Sequence, residues 1–451
     1  MKFVQTFMAA SMAVAFAGLA QAAVSPDEAA KLGTTLTKMG AEKAGNADGS
    51  IPEYTGGLTT PPASYKGDGI RPDPFADEKP ILVIDGKNVE QYSDQLTATV
   101  AELMSRFAGF RADVYPTHRT AALPAKNLEN NLKNAVGAST GNGGLALVNA
   151  LPGVPFPIPN TGTEAMWNHL MRYQGQTISS KYDSWNVDSA GVATLATTGL
   201  GFVNYPVYET MDKIIEPKDL YYRIKLYYTG PARRAGEAVL VQDAADPIAQ
   251  PRRAWQYLPG QRRVKLAPDL AYDTPNPGSA GANTYDDTFV FSGAMDRFDW
   301  KIVGKKEMYI PYNAYALVEN KDAKSMTTVN YLEPDYVRYE KHRVWVVEAT
   351  LKPGKRHVYH KRNFYLDEDT WIAVASDEYD ARGQLYRGSL AFVTQHYDVN
   401  VPNATPHMIY DLVGGTYNVT GLVGPYGGTQ YIPNLSKAKW SAESLAGAGI
   451  R

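Results

Sequence analysis

The sequence predicts an α+β fold that is mainly β: a curved antiparallel sheet, an incomplete β-barrel, covered by helices and Pro-rich loops. Three observations carry that prediction. From about Thr177 to Gly421 the apolar pattern has a period of two, in runs rich in Tyr, Val, Trp and Ile. From Val24 to about Gly175 it changes to helical spacing interrupted by Pro and Gly clusters. The chain also holds 30 Tyr among its 451 residues, a residue type that favours pleated, half-buried surfaces.

Taken in order, Lys2 followed by the apolar run Phe3–Leu19 and the small-residue site Ala20-Gln21-Ala22 reads as a secretory signal peptide over residues 1–22. Residues 23–175 form a helical and Pro/Gly-rich covering region, and residues 176–451 a half-barrel with a C-terminal extension, the two making one continuous unit. Ser25-Pro26-Asp27-Glu28 has an N-cap Ser, a Pro at the first helical position and a Glu three residues on, so a short helix starts there. Ile51–Pro80 carries too many Pro and Gly for helix or strand and should wrap along the body. Asn88 with Gln91 predicts a second capping box, followed by Val89, Tyr92, Leu96, Val100, Leu103 and Phe107 at steps of three and four, an amphipathic helix of about five turns. Weaker helical patterns cover Lys126–Val136 and Glu164–Tyr173.

The strand runs are Leu220–Tyr228, Glu237–Val241, Arg253–Leu258, Arg343–Leu351, His357–Leu366, Trp371–Glu378 and Leu385–Asp398. In Arg343–Leu351 both alternating faces are largely apolar, so each face needs a cover. No fixed-period repeat suggests a propeller or solenoid.

Composition narrows the function. With 45 Lys+Arg against 47 Asp+Glu the chain lacks the basic excess of a nucleic-acid binder. Zero Cys excludes disulfides, Cys-ligated zinc, thiol catalysis and a lipidated N-terminal Cys. No stretch after the leader is apolar for about 18 residues, so no membrane-spanning helix is expected. The compartment read from these features is the periplasm of a Gram-negative bacterium, with peripheral outer-membrane association left open.

The motifs are mostly negative. Gly137-Ala138-Ser139-Thr140-Gly141 matches G-x-S-x-G, but a helical stretch precedes it where a nucleophile elbow needs a strand. Asn46, Asp48 and Gly49 resemble the middle of a calcium loop, yet Ala44 and Thr55 stand where its end ligands belong, so an Asp-Gly turn is expected. His357 and His360 would face opposite sides of a strand, and seven scattered His suggest no metal constellation. We therefore assign no catalytic residue, metal or cofactor.

Arg252–Leu266 is the most informative stretch: two strands flank a Leu-Pro-Gly-Gln turn, with Trp255 and Tyr257 on one face and Arg252, Arg253, Arg262 and Arg263 at the ends. It reads either as an ordinary solvated hairpin or as a basic rim beside an aromatic wall, suited to an amphiphile with an anionic head. This hairpin resembles one in outer-membrane lipoprotein-sorting proteins. Four further stretches, Gly45–Gly57 (GNADGSIPEYTGG), Met308–Tyr315 (MYIPYNAY), His342–Leu351 (HRVWVVEATL) and Tyr379–Tyr386 (YDARGQLY), resemble a periplasmic family known as domain of unknown function 1329. The resemblance runs along nearly the whole mature chain and implies a fold similar to the LolA and LolB carriers, with helices closing an apolar cavity. It also implies trafficking of a lipid, lipoprotein acyl chain or other hydrophobic cargo, with an inner-membrane RND-type transporter and an outer-membrane protein as partners.

The expected function is thus a non-enzymatic carrier. Leu96 and Leu103 are candidate lid residues, with permanent core as their alternative, and Trp255, Tyr257, Trp345, Val347, Trp371 and Phe392 are candidates for the cavity wall. Two rival classes remain: an exported hydrolase with an unlocated carboxylate pair, and an outer-membrane β-barrel, which the helical and Pro-rich first third disfavours.

Overall fold

The computed structural model describes residues 24–449, so the signal-peptide segment lies outside the described residues. Sixteen strands form one sheet: β1 (Leu82–Asp85), β2 (Arg111–Val114), β3 (Thr177–Val187), β4 (Ala193–Asn204), β5 (Leu220–Gly230), β6 (Ala238–Ala244), β7 (Arg253–Leu258), β8 (Arg263–Leu266), β9 (Phe298–Pro311), β10 (Arg338–Leu351), β11 (Lys361–Asp367), β12 (Ala373–Tyr379), β13 (Leu385–Ala391), β14 (His407–Asp411), β15 (Thr416–Leu422) and β16 (Gln430–Tyr431). Their order is β1-β2-β10-β11-β12-β13-β14-β15-β3-β4-β5-β6-β7-β8, with β9 paired to β10 and β16 to β3. The path ends on β1 and β8 without closing, so the sheet is a curved, open one and not a transmembrane barrel. Every pairing is antiparallel except the short contact of β2 with β10.

Both faces of β10 are buried, Val344 and Val346 on one side and Val347 and Ala349 on the other, as their alternating pattern requires. Three helices of two or more turns provide cover: α1 (Ala98–Arg106), α2 (Ala125–Gly137) and α3 (Gly162–Met171). The first falls short of the expected five turns. Residues Val89–Tyr92 make a single turn, Leu96 is extended, and a new helix starts with Thr97 as its N-cap, its hydroxyl accepting from Val100 N. Asn88 does not cap; its side chain is spent on the backbone of Asp85 and Val83. The break has an electrostatic cause: buried Asp377 on β12 accepts the amides of Ala98 and Thr99, both at 2.9 Å, so the free N–H groups of a helix start are satisfied there by an anion.

That contact also fixes the face. Asp377 pairs with Gly388, and a Cβ at Gly388 would lie 1.8 Å from Thr99 Oγ1, so only glycine lets α1 approach. Ser376 and Ser389, one residue out of phase, begin a row that continues through Ile409 and Asn418 to Asn186 on the other face. Helix α1 therefore covers one face of the sheet and the site described below lies on the opposite one.

The helix starting at Pro26 has its capping box, and the Pro-rich segment is tied down as a wrap: Arg71, 2% exposed, grips Asp398 at 2.7 and 3.0 Å, and Tyr65 donates to the same carboxylate. The covering region also supplies strands β1 and β2 to the sheet, and one apolar core runs from Met39 to Val423 through both regions. Strand β11 begins at Lys361, later than its pattern suggested, and Leu385–Asp398 divides into β13 and a separate ribbon with Thr394–His396.

Candidate functional site

Three cross-strand rows make a floor. Ile178, Val203, Ile224 and Val241 stand in register, then Ser180, Gly201, Leu226 and Val239, then Tyr182, Gly199 and Tyr228. Period two puts all of them on one face of β3–β6. The middle row is shallow because two of its four members are Ser and Gly. At Gly199 a Cβ would meet the Tyr182 ring at 2.7 Å, so the missing side chain lets that ring lie down across the strand.

The roof is the irregular segment from Pro275 to Ser292, here called the strap. Asn186 Nδ2 donates to Ser279 O at 2.9 Å and Thr197 Oγ1 to Gly278 O at 2.7 Å. Farther along, Asp286 and Asp287 enter a buried ion cluster: Arg362 lies 3.3 Å from Asp286, 3.0 Å from Asp287 and 3.7 Å from Glu378, while His357 meets Asp286 at 2.9 Å. Arg362 and His357 hold Asp286 well below the usual carboxylate range against its burial. Burial pushes Glu378 up to about 8, so this member stays protonated at neutral pH. Past the cluster the strap carries Phe289 at φ 56° and Val290 at φ 70°, a costly conformation for a β-branched residue.

Floor and strap border a cavity of about 130 Å³, which Gln174, Tyr205, Tyr222, Phe289 and His407 also line. A cavity of about 150 Å³ lined by apolar groups admits a benzene-sized molecule. The His407 ring is neutral, since burial first and the nearby Arg172 second lower it to about 4. Its Nε2 accepts the Phe289 amide at 3.4 Å, which places the proton on Nδ1, and that atom has no partner. Buried His169 on α3 joins helix, strap and sheet: Nδ1 accepts from Ala373 N at 2.9 Å and Nε2 donates to Phe291 O at 3.0 Å.

The residues singled out from sequence lie mostly elsewhere. Arg252 alone among them lines the cavity, fixed by Asp243 at 2.7 and 2.8 Å and by Ser292. Arg253, Arg262 and Arg263 are exposed on the β7–β8 hairpin. Trp255 pairs with Leu240 and Tyr257 with Ala238, out of phase with cavity-facing Val239 and Val241. They point to the other face of the sheet, under Trp440 and Leu445. Trp345 and Trp371 stack at 5.9 Å, and with Val347 and Phe392 they belong to the main core, as do Leu96 and Leu103 near α1. None of these six touches the cavity.

The discounted motifs are placed as follows. Ser139 follows α2 directly and lines an open cleft of about 480 Å³ beside Thr163, Trp300 and Lys352, with no histidine in it among the described residues. Asp48 accepts from Ser50 and pairs with Lys341 at 3.2 Å, an Asp-Gly turn with its carboxylate in use. His357 is buried and His360 exposed. Sequence reading missed one grouping: donor atoms of His342, Asp367 and Asp369 lie within 4.8 Å of one another. Its cation is already present, because Arg119 grips both oxygens of Asp369 at 2.7 and 2.8 Å, and His342 is held between Glu340 and the Tyr312 ring. Among the described residues no helix is long and apolar enough to cross a membrane.

Comparison with known proteins supplies context. Residues 83–446 match the family described as "Protein of unknown function (DUF1329)". An uncharacterized protein of Pseudomonas aeruginosa is 43% identical over 406 residues, 89% of this chain and 88% of that one. Among solved structures, the chain is similar to one described as an outer membrane lipoprotein-sorting protein domain from Vibrio parahaemolyticus (14% identity, 63% of this chain and 98% of that one, TM-score 0.44). It is also similar to a DUF1329 family protein from Desulfovibrio piger (14%, 60% and 92%, TM-score 0.41) and to a LolA superfamily protein from Nitrosomonas europaea (12%, 63% and 100%, TM-score 0.36).

Proposed function

Starting from the fact that the chain belongs to the DUF1329 family, we propose that it is a periplasmic, non-enzymatic carrier that binds a lipid or other hydrophobic cargo between the β3–β6 floor and the strap. The observation that supports this reading is the cavity itself: a void of about 130 Å³ over a floor of Ile, Val and Leu, left open where close packing is the rule. Such a carrier needs no activated nucleophile. It gains about 25 cal/mol for each Å² of apolar cargo surface taken out of water. A void this small holds only part of an alkyl chain, so longer cargo has to displace part of the strap. Delivery between an inner-membrane RND-type exporter and an outer-membrane protein is the trafficking step we assign to it, after export by the leader Met1–Ala22.

Titration of the purified protein with N-phenyl-1-naphthylamine, together with native mass spectrometry and lipid extraction, tests the carrier reading. We expect saturable dye binding at one site, and a co-purifying lipid that the dye displaces. A protein that binds neither dye nor lipid would end it. Release by osmotic shock with Ala23 as first residue is expected for the compartment, and recovery only from detergent-extracted membrane would contradict it.

A further inference from the structure

Charge and hydrogen-bonding capacity are divided unevenly around the cavity. Among its lining residues Arg252 alone carries a formal charge, and Asp243 grips that guanidinium at 2.7 and 2.8 Å. Arg172, a buried arginine without a carboxylate among the described residues, donates to the His169 carbonyl and is not among the lining residues. The exposed arginines of the β7–β8 hairpin lie outside the lining as well. Among the described residues, then, no free charge lines the void.

Uncharged donors do line it. The Phe289 amide can only donate, so His407 Nε2, which accepts it at 3.4 Å, must hold a lone pair and the ring proton sits on Nδ1. That Nδ1–H is buried and has no acceptor. Gln174 Nε2 donates to Tyr205 Oη at 2.6 Å, which uses a lone pair of the phenol and leaves its proton without an acceptor among the described residues. Tyr285 Oη is a second buried atom with no partner. All four residues line the cavity, and the rings of Tyr205, Tyr222, Phe289 and His407 follow one another at 5.9, 6.4 and 5.5 Å as one aromatic file. A buried donor without an acceptor forfeits the hydrogen bond it made to water in the unfolded chain, and a lone pair on the cargo restores it. The lone pair has to come without a charge. An ion moved from water into this void would find no counterion, and that cost outweighs the hydrogen bonds that neutral donors return.

Resting on the carrier reading, we propose that the cavity takes a neutral alkyl-chain amphiphile whose head is an uncharged oxygen acceptor, an alcohol or an ester, its oxygen held by the free donors that Tyr205 and His407 offer and its chain laid over the Ile178, Leu226 and Val239 floor. This reverses the anionic head that the hairpin arginines suggested. It accounts for the unused donors without any catalytic role.

The test uses a matched series on the full mature chain at pH 8, where decanoate is ionised: decanol, methyl decanoate, decanoate and decyltrimethylammonium, each displacing N-phenyl-1-naphthylamine below its micelle or solubility limit. The alcohol and the ester should bind at least tenfold tighter than either ion. Methyl decanoate with an isotope-labelled carbonyl then reports on the donors directly, because a hydrogen bond lowers the infrared stretching frequency of C=O. Bound to the wild type, the labelled band should lie below its position in hexane. In Tyr205→Phe, which removes one hydroxyl and keeps the ring, the band should move back toward that position and the ester should bind at least threefold more weakly, with decanoate binding unchanged. A hexane-like band in the bound wild type overturns the hydrogen-bonded head, and needs no variant to fold. A folded Tyr205→Phe protein with band and affinity unmoved overturns it too, as does decanoate or the ammonium compound binding as tightly as decanol. In each of these cases saturable dye binding leaves the carrier reading intact. Failure of all four amphiphiles and the dye would instead bring down the carrier reading itself.

Discussion

One strap crosses two parts of the same sheet face, and the two parts are packed in opposite ways. Over β9–β11 its residue Phe291 meets Trp300 at 5.2 Å and Phe364 at 5.5 Å, so interlocked rings fill the contact between strap and sheet. Over β3–β6 the same strap spans a void of about 130 Å³. Side-chain volume in the rows makes the difference: Trp300 and Phe364 at the filled end, Ser180 and Gly201 at the hollow end. Charge is paired at both ends: Arg362 lies among Asp286, Asp287 and Glu378 at the filled end, and Arg252, which lines the cavity, grips Asp243 at the hollow end. The filled end anchors the strap, and the hollow end is where a ligand can complete the packing.

The largest effect should come from the far face. Leu103 is 1% exposed in α1, on the side of the sheet away from the cavity. Leu103→Asp buries an unpaired carboxylate and should cost several kcal/mol, lowering the melting temperature by ten degrees or more on circular dichroism. Near-normal melting combined with lost dye binding would show instead that α1 is a lid, and the division of the molecule drawn above would fail. Next in size is Phe364→Ala, which removes a fully buried ring from the filled end. We expect a loss of about 3–5 kcal/mol with dye affinity kept in whatever protein remains folded. A loss under about 1 kcal/mol would mean that the filled end is as loose as the hollow one.

Much of the contrast was hidden in the sequence, for identifiable reasons. The period-two runs revealed the sheet, and the both-sided apolar pattern of Arg343–Leu351 revealed that it is covered twice. Periodicity says which residues share a face but not which face meets which cover, so it sets Trp255 and Tyr257 together without showing that their register puts them opposite the cavity. The apolar steps from Val89 to Phe107 pass straight through the break at Thr97. What decides the break is Asp377, nearly 280 residues away. Strand β9 escaped notice because the run Gly304-Lys305-Lys306-Glu307 interrupts the alternation of Phe298, Trp300 and Ile302 with Asp299 and Lys301. The strap looks like any Pro/Gly/Asn-rich loop, and no sequence shows that an arginine such as Arg172 will find no carboxylate.

Titration provides a smaller, signed effect, with one group at each end. Glu378 keeps its proton to about pH 8 in the folded chain, while the unfolded chain releases it near its ordinary value of 4.5. Between those values the folded state binds more protons, so stability falls as pH rises from about 4.5 to 8. His407 acts in the other direction: lowered to about 4 from 6.5, it binds fewer protons when folded, so its contribution is lost as pH falls through that window. The melting temperature should therefore be highest near pH 6 and decline toward pH 8.5. Glu378→Gln, a neutral mimic of the protonated acid, should flatten the alkaline limb by a few degrees. An unchanged limb would place the pH dependence outside the strap anchor.

The smallest effect on stability should accompany the largest effect on binding. Ser180 lies in the shallow middle row of the floor, and its hydroxyl makes no hydrogen bond among the described residues. Enlarging a residue in a filled core forces neighbours off their rotamers and costs about 1–3 kcal/mol. In a void the added methyl groups gain contacts instead, so Ser180→Leu should leave stability within about 1 kcal/mol of the wild type. The space it occupies is the space cargo would take, and N-phenyl-1-naphthylamine affinity should drop at least tenfold. The substitution therefore separates two meanings of an unfilled core. If Ser180→Leu melts early, the void closes in solution and the two ends of the face are alike. If it melts normally yet binds dye as well as the wild type, the cargo site lies outside the β3–β6 floor. Normal melting with binding lost is the combination that only a hollow kept for a ligand produces.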